Sequence, residues 1–524
     1  MADTEPRFIA FKEGALILGL QLLLLGFRLG QIPLLGPDEP RYARVAVELA
    51  RAGEFVTPTL AGEAWLEKPP LYYWLAGLGF RLFGENETAA RWPAVAAALL
   101  MTGITGLVGA RLFGRSCGRL AMLIAATSPL AFAYGRAATM DELVAAFITG
   151  ASGLFILSNL GIAGPMAAPA AWALMAVAVL AKGPIGMVIP LGVAVSARMA
   201  AGRPGPGRLF PLAGMAIALL MAGPWFAAIY LDQGFHFIEV FLLNHNLERF
   251  TSTIHNHPGP IYYYVPVLFL GVFPWSGLMA PAIAGASAAE RKPMVSILAW
   301  ALVPFALFSI AGSKLPGYIV PCLPPFAILL ALSSRAIDSS EHRGAGRAAG
   351  LMGLAIGAAV FALTMRGIRQ GEPWGRSALL PALWLLAATF LASRALDRAR
   401  HETFRILAIG ASGFLLILTL VAPPVLEAME SGRRLFLPAQ GREVLAVGAW
   451  RTAWMAGYFY NDGKVREVPS LSRALELESG SPRLMLFGPD EWRDVRTRDG
   501  YTVLELAQGA RGTVLARVST RSGH

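Results

Sequence analysis

GPDEPRYARVAVELARAGEF at residues 36–55 and GEAWLEKPPLYYW at 62–74 follow the first membrane-length apolar run of the chain. They place Asp38, Glu39, Arg41, Arg44, Glu67 and Lys68 in a gap where an ordinary membrane protein would carry only a short turn. A long polar loop between apolar spans usually carries the function, so this stretch points to a helical membrane protein with its chemistry at the membrane boundary.

The remainder of the chain agrees. Its 524 residues are 55% hydrophobic and 15% charged, against about 25% charge in ordinary globular proteins. A helix needs about 20 apolar residues to cross a hydrocarbon core of about 30 Å and satisfies its own backbone hydrogen bonds there. Such runs predict about thirteen spans, at 13–30, 92–110, 118–135, 141–160, 168–182, 184–199, 209–230, 261–284, 294–312, 318–334, 347–365, 377–395 and 403–422. Lys182, Gly183 and Pro184 interrupt one long apolar block, marking either a tight outer turn or the break of a re-entrant pair.

Arginine and lysine set the expected orientation. Arg111, Arg115 and Arg119; Arg198, Arg203 and Arg208; Arg291 and Lys292; Arg335, Arg343 and Arg347; and Arg394, Arg398, Arg400 and Arg405 fall on alternate loops that share one face. That face is cytoplasmic by the charge rule, together with the N-terminus. The long loops 31–91 and 231–260 are then outside, with Arg366, Arg369 and Arg376 counting against the scheme. The net charge of +11 is largely these clusters, so no nucleic-acid partner is expected. Cys117 and Cys322 fall near opposite faces and suggest no disulfide framework. The first apolar run lacks a small-residue cleavage site and reads as a retained span.

Beyond Pro423 and Pro424 the apolar runs shrink. EVLAVGAW at 443–450, PRLMLFG at 482–488, YTVLELA at 501–507 and TVLARVS at 513–519 read as strands, and PDEWRDV at 489–495 as a short helix. The predicted organisation is a transmembrane domain over 1–425 and a small soluble α/β domain over 426–524. An odd span count puts that second domain outside, beside the long loops.

Several residues stand out chemically. Asp38 and Glu39 precede RYARVAVELARAGEF, which has Tyr42, Val45, Ala46 and Leu49 at helical spacing. Such an amphipathic helix would lie along the membrane surface and hold Asp38 at the water–lipid boundary. Asp141 and Glu142 in YGRAATMDELV repeat the acidic pair on the next outer loop. The plain alternative for both pairs is N-capping of the helix that follows. Lys68 precedes Pro69 and Pro70, which stiffen its loop, and Arg249 in NHNLERF and Lys314 in SKLPGY lie on outer loops too. Cations beside carboxylates on one face suit a site that binds phosphate while orienting an acidic group; singly, each could merely contact lipid headgroups. Glu67 with His245 could hold a divalent ion, although no HxxxH or HExxH helix fixes a geometry. His236, His255 and His257 also fall in the second outer loop, where IYYYVP supplies interfacial aromatics. GxxxxGK[ST] and strand-linked GxGxxG are absent, and GASGF at 410–414 lies within a predicted span, which argues against nucleotide-driven transport, dinucleotide binding and serine hydrolysis.

In order, PDEPRYA, EKPPLYYW, RAATMDELV, LAKGP, GPWF, NHNLERF, PWS and SKLPGYIVP resemble the aminoarabinose transferase family of bacterial membrane glycosyltransferases, which is related to the protein O-mannosyltransferases. The resemblance runs from about residue 30 to about residue 330. It implies a C-type glycosyltransferase (GT-C) fold with a polyprenyl-phosphate sugar donor, an envelope lipid or glycan acceptor such as lipid A or lipopolysaccharide, and inversion at the sugar carbon. Matched by motif, Asp38 is the catalytic-centre acid and Arg41 the arginine beside it, with Arg41 and Glu39 expected to contact substrate. Lys68 matches the lysine on the donor phosphate, Asp141 the second acid, Arg249 a phosphate-loop arginine, and Lys314 with Tyr318 the SKLP-type loop. Asn244 stands where the family commonly has Glu, and Arg249 falls one residue late. No cofactor is required by this chemistry, with Glu67 and His245 the place for a divalent metal. A protein O-glycosyltransferase is the alternative enzyme. A transporter or flippase is disfavoured, because the acidic residues sit at span ends and no repeat is visible.

Overall fold

The computed structural model describes residues 11–200, 202, 212–248, 259–279, 282, 290–338, 343–398, 400–477 and 483–520. Among these, nine helices are long and apolar enough to cross a membrane, and a bent pair would make a tenth. The first ten helices are α1 (Phe11–Gly26), α2 (Asp38–Ala52), α3 (Leu71–Phe83), α4 (Glu87–Phe113), α5 (Arg115–Ala126), α6 (Pro129–Gly135), α7 (Asp141–Asn159), α8 (Ala167–Lys182), α9 (Ile185–Ala200) and α10 (Leu212–Gln233).

The bent pair is α5 and α6, which meet at 56°. Pro129 causes the break, since the residue before proline is pushed out of the helical region and Ser128 is extended. The block at 168–199 resolves into α8 and α9, joined through Gly183 with a positive φ of 85°. Of the run at 261–284, expected as one span, the described residues form instead a short helix Tyr264–Gly271 followed by a 3-10 turn Trp275–Leu278. Pro274 explains the interruption, because it has no N–H to continue the ladder. Further along, the helices Arg291–Ile310, Arg343–Arg369, Gly375–Arg398 and Arg400–Glu430 run close to the expected limits. The last of these continues through Pro423 and Pro424 to Glu430, past the expected domain boundary.

Small residues let the spans pack closely. A Cβ added at Gly118 of α5 would stand 2.6 Å from the Gly106 carbonyl of α4. The bundle has two chemically distinct ends. At one, Glu13 pairs with Arg115 and Arg119, and Arg335 with Glu290. At the other lie the start of α4, the start of α7 and the end of α8, which carry the Asp141 and Lys182 motifs.

Over that second end fold α2, α3 and a hairpin of β1 (Thr59–Leu60) with β2 (Glu63–Ala64). Here α2, expected as an amphipathic helix, forms and packs within the protein. Glu39, Arg41, Tyr42, Val45, Val47 and Leu49 are all buried. Tyr42 sits edge-on to Trp65, Tyr72 and Tyr73 at 6.3–6.4 Å, and the Arg44–Arg51 side meets the C-terminal domain. Apolar residues at helical spacing give a helix two unlike faces, and a docked domain satisfies such a helix as well as a headgroup layer does.

The C-terminal domain is a five-stranded sheet of β3 (Val444–Val447), β4 (Val465–Val468), β5 (Arg483–Phe487), β6 (Tyr501–Gln508) and β7 (Val514–Thr520), ordered β4-β3-β5-β7-β6. β3 pairs in parallel with β4 and β5, while β7 is antiparallel to β5 and β6. Every residue of β3 is buried, as expected of a strand covered on both faces. Leu435, Phe436 and Trp454 pack on one side; Leu471, Leu475 and Val495 pack on the other. Strand β4, reading VREV, was not expected, because two charged residues mask its alternation.

Candidate active site

Two cavities open at the α2–α3 end of the bundle. The first, of about 120 Å³, is lined by Lys68, Asp141, Lys182, His245, Ser313 and Tyr318, with Val144, Ile148 and Phe308 forming apolar wall. Each polar residue arrives at an element boundary. Lys68 precedes the Pro69–Pro70 corner into α3, Asp141 begins α7, Lys182 ends α8, and Tyr318 lies in the 3-10 stretch Pro316–Cys322.

Lys182 forms an ion pair with Asp141, with both side chains less than one-fifth exposed. Its ammonium also stands 4.7 Å from the Tyr318 ring centre, within cation–π range. Gly317 permits this closeness, since a Cβ there would lie 2.4 Å from Tyr134 Cε1 and 3.1 Å from Asp141 Cγ. Lys68 is buried and donates to the Glu67 carbonyl at 3.2 Å. Glu67 Oε1 lies 3.7 Å from His245 Nε2, and among the described residues no group of three His, Cys, Asp or Glu side chains completes a metal site with them. Ser313 Oγ is buried with no hydrogen-bond partner among the described atoms.

The second cavity, of about 640 Å³, is lined by Asp38, Glu39, Arg91, Tyr134, Arg136 and Thr139, and by Phe132, Leu415, Leu418 and Ala422. Tyr134, packed against Gly317, separates it from the first. Asp38 is 40% exposed and ion-paired with Arg41, whose Nε donates to the Pro37 carbonyl at 3.0 Å and whose guanidinium covers Trp65 at 5.3 Å. Burial works against the Arg41 charge, but Asp38 first, then Tyr42 and Glu67, outweigh it and raise its pKa. Arg41 therefore stays cationic, ion-paired with Asp38 and within the field of Glu67, which itself faces His245 of the first cavity.

The sequence-expected residues thus divide. Lys68, Asp141, His245 and Tyr318 share one cavity; Asp38 lines the other, tied through Arg41. Glu39 faces the second cavity, but its carboxylate is engaged inside the protein: it accepts from Arg91 Nη2 at 2.6 Å, Leu35 N at 2.9 Å and Ala138 N at 3.0 Å. This geometry makes it a staple between the Asp38 loop and the turn before Asp141. Lys314 likewise turns to its own loop, donating to Ala311 O at 2.6 Å. Arg249, His255 and His257 lie outside the described residues. Lys182, Ser313 and Arg136 were not singled out for chemistry. Within LAKGP, Gly183 and Pro184 signal a break between helices so strongly that the lysine before them reads as part of the turn.

Comparison with known proteins follows the same outline. Residues 67–227 match the family of dolichyl-phosphate-mannose-protein mannosyltransferases. The undecaprenyl phosphate-α-4-amino-4-deoxy-L-arabinose arabinosyl transferase of Edwardsiella ictaluri is 32% identical over 65% of this chain and 62% of its own length. The Pseudomonas paraeruginosa enzyme of the same name is 31% identical over 68% of this chain and 66% of its own. The chain therefore spans a little under two thirds of the length of these curated relatives. Over the whole length, the crystal structure of ArnT from Cupriavidus metallidurans bound to undecaprenyl phosphate superposes with a TM-score of 0.83, covering 97% of this chain and 98% of that one at 21% identity.

Proposed function

We propose, from the premise that this chain is aminoarabinose transferase-like in sequence and GT-C in fold, that it is a glycosyltransferase. Its reaction would move a sugar from a polyprenyl phosphate to lipid A, lipopolysaccharide or another envelope acceptor. The observation that carries this reading is the first cavity: two lysines from distant segments, Lys68 and Lys182, meet there beside Asp141 and Tyr318. Around the same Lys182–Ile185 turn lies an almost wholly apolar hollow walled by Val179, Met187, Val188, Phe226, Phe237 and Phe241. A cationic pocket beside an oily trough suits a phosphate on an isoprenoid chain.

In the reaction, the bond from the sugar anomeric carbon to the donor phosphate oxygen breaks, and an acceptor oxygen attacks the opposite face. Negative charge develops on the departing polyprenyl phosphate, where Lys68 and Lys182 stabilise it in a partly desolvated site. Asp141 holds the Lys182 ammonium toward the cavity. Asp38, fixed by Arg41, takes the proton of a hydroxyl acceptor, or orients an acceptor that is already ionised. The step as written requires no metal.

The protein is membrane-embedded. The Arg115–Arg119 and Arg335 end, being rich in cation, would face the cytoplasm; both cavities and the C-terminal domain would then lie on the periplasmic side of the inner membrane.

The test is incubation of the purified protein with polyprenyl-phosphate sugars and envelope lipids, followed by mass spectrometry of the acceptors. Transfer to lipid is expected, with loss of turnover in Asp38→Ala and Lys68→Ala at unchanged folding and persistence of transfer under a chelator. No transfer across a broad donor panel would defeat the reading. Sugar recovered on Ser or Thr would select a protein O-glycosyltransferase, and chelator-sensitive turnover would assign Glu67 and His245 to a metal.

A further inference from the structure

The C-terminal domain has two unlike faces. One carries the layer of Leu435, Phe436 and Trp454 and faces the bundle: Tyr460 and Arg433 on that side reach Glu87, and the Ala510–Gly512 turn packs against the helix Arg400–Glu430. Among the described residues after Glu430, two large apolar side chains stay exposed, Leu437 at 70% and Leu504 at 56%. Both fall on the bundle-facing side. Leu437 lies three residues after Arg434, on the side of the helix Arg433–Phe436 that pairs with Glu427 near the end of Arg400–Glu430. Leu504 stands opposite Arg517, which stands opposite Leu484, and residues paired across a sheet point the same way; Leu484 belongs to the bundle-facing layer. Singly, an exposed leucine means little, but cations accompany these two. Arg511 is exposed with its guanidinium 4.2 Å from the Trp450 ring centre, and neither Arg511 nor Arg517 meets a carboxylate among the described residues. On the opposite face, Asp490 pairs with Arg493 and Glu476 with Arg473, while Glu505, next to Leu504, points that way with Ala516.

We propose that this face is a lipid-docking surface: Leu437 and Leu504 enter the headgroup layer of the leaflet beside the two cavities, and Arg511 and Arg517 meet the phosphates of anionic phosphoglycerides. Apolar tips flanked by guanidinium groups suit that layer, where acyl chains begin and phosphate lies just above them. The helix Arg400–Glu430 delivers the face to this depth, since it ends just before Arg433. The seating is independent of glycosyl transfer.

The experiment places the full-length protein, a single copy per nanodisc, in phosphatidylcholine with or without phosphatidylglycerol. A nitroxide is attached through Leu437→Cys, Leu504→Cys or, on the opposite face, Glu505→Cys; Cys117 and Cys322 are buried and leave the label a single site. With phosphatidylglycerol present, labels at 437 and 504 should be relaxed by lipid-soluble oxygen, and the label at 505 by an aqueous nickel chelate. Arg517→Gln should lower the ratio of seated to lifted domain about fivefold, the share of one arginine at an anionic surface, read as chelate access gained at 504. Hydrogen exchange across 501–508 in the unlabelled protein should slow when phosphatidylglycerol is added, which guards against a label that itself seeks lipid. Equal chelate access at 504 and 505 overturns the proposal. So does access or exchange that ignores both phosphatidylglycerol and Arg517→Gln. Protection that is absent in singly loaded nanodiscs and present only where several copies share a liposome overturns it too, by making the face a contact with a second copy.

Discussion

Lys182 shows how one residue can belong to a turn and to a site at once. It ends α8 before Gly183 and Pro184, and the same helix end aims its ammonium at Asp141 and the Tyr318 ring. Lys182→Met keeps the length and removes the charge, so turnover should fall by about 100-fold or more, the usual cost of losing one preorganised electrostatic contact. Steady-state transfer assays check it, and a variant within about threefold of wild type would take Lys182 out of the donor site. Glu39 is the opposite case, a site candidate by motif and a staple by geometry. Glu39→Ala leaves Arg91 buried without its carboxylate, so stability should drop by about 3–5 kcal/mol, read as earlier thermal unfolding in detergent. Asp38, Lys68 and Asp141 could be found in the sequence because acids and lysines are rare in so apolar a chain. The division of labour between Asp38 and Glu39 could not, since it depends on which carboxylate reaches Arg91, 52 residues later in the chain.

At the level of elements, the spans were readable wherever apolar length alone decides, and less so where proline intervenes. Pro129 bends α5–α6 and Pro274 interrupts the stretch after Gly271, yet Pro423 and Pro424 leave their helix continuous. Composition does not say which prolines neighbouring helices will accommodate. The 3-10 stretch Pro316–Cys322 matters most for the site, because Gly317 lets it press against both Tyr134 and Asp141. Gly317→Ala inserts a methyl where the nearest carbon is 2.4 Å away, an overpacking that typically costs about 1–3 kcal/mol. The strain falls on the wall between the two cavities, so transfer should decline even where the variant still folds. Retained activity with unaltered melting would show that Tyr134 moves aside freely.

Across the whole molecule, the C-terminal domain clamps the loop that carries Asp38. Tyr460 accepts from Leu34 N at 2.7 Å and donates to Glu87 at 3.0 Å, while Phe459 packs on Phe80 with ring centres 6.2 Å apart. Arg433 reaches Glu87 at 3.2 Å and Glu427 at 2.9 Å, and Asp462 bridges Arg44 and Arg51 of α2. None of this was legible from sequence, where a short α/β domain after the last span has no signal saying what it touches. Burial pushes the Asp462 carboxyl up, but Arg44 and then Arg51 outweigh it and hold it below its ordinary value. A carboxylate with a depressed pKa contributes fully above its undocked value, about 3.9 for Asp, and loses that contribution as pH falls through the docked one. Docking should therefore be intact at neutral pH and loosen below the ordinary carboxylate range, and Asp462→Asn should loosen it at every pH. Hydrogen exchange across residues 31–52 at pH 6 and pH 3.5 reads this directly. Wild type should show faster exchange at the lower pH after correction for intrinsic rates, and Asp462→Asn should show raised exchange at pH 6 with a smaller further rise on acidification. Identical profiles for the two proteins would mean that Tyr460 and Arg433 hold the clamp without the Asp462 bridge.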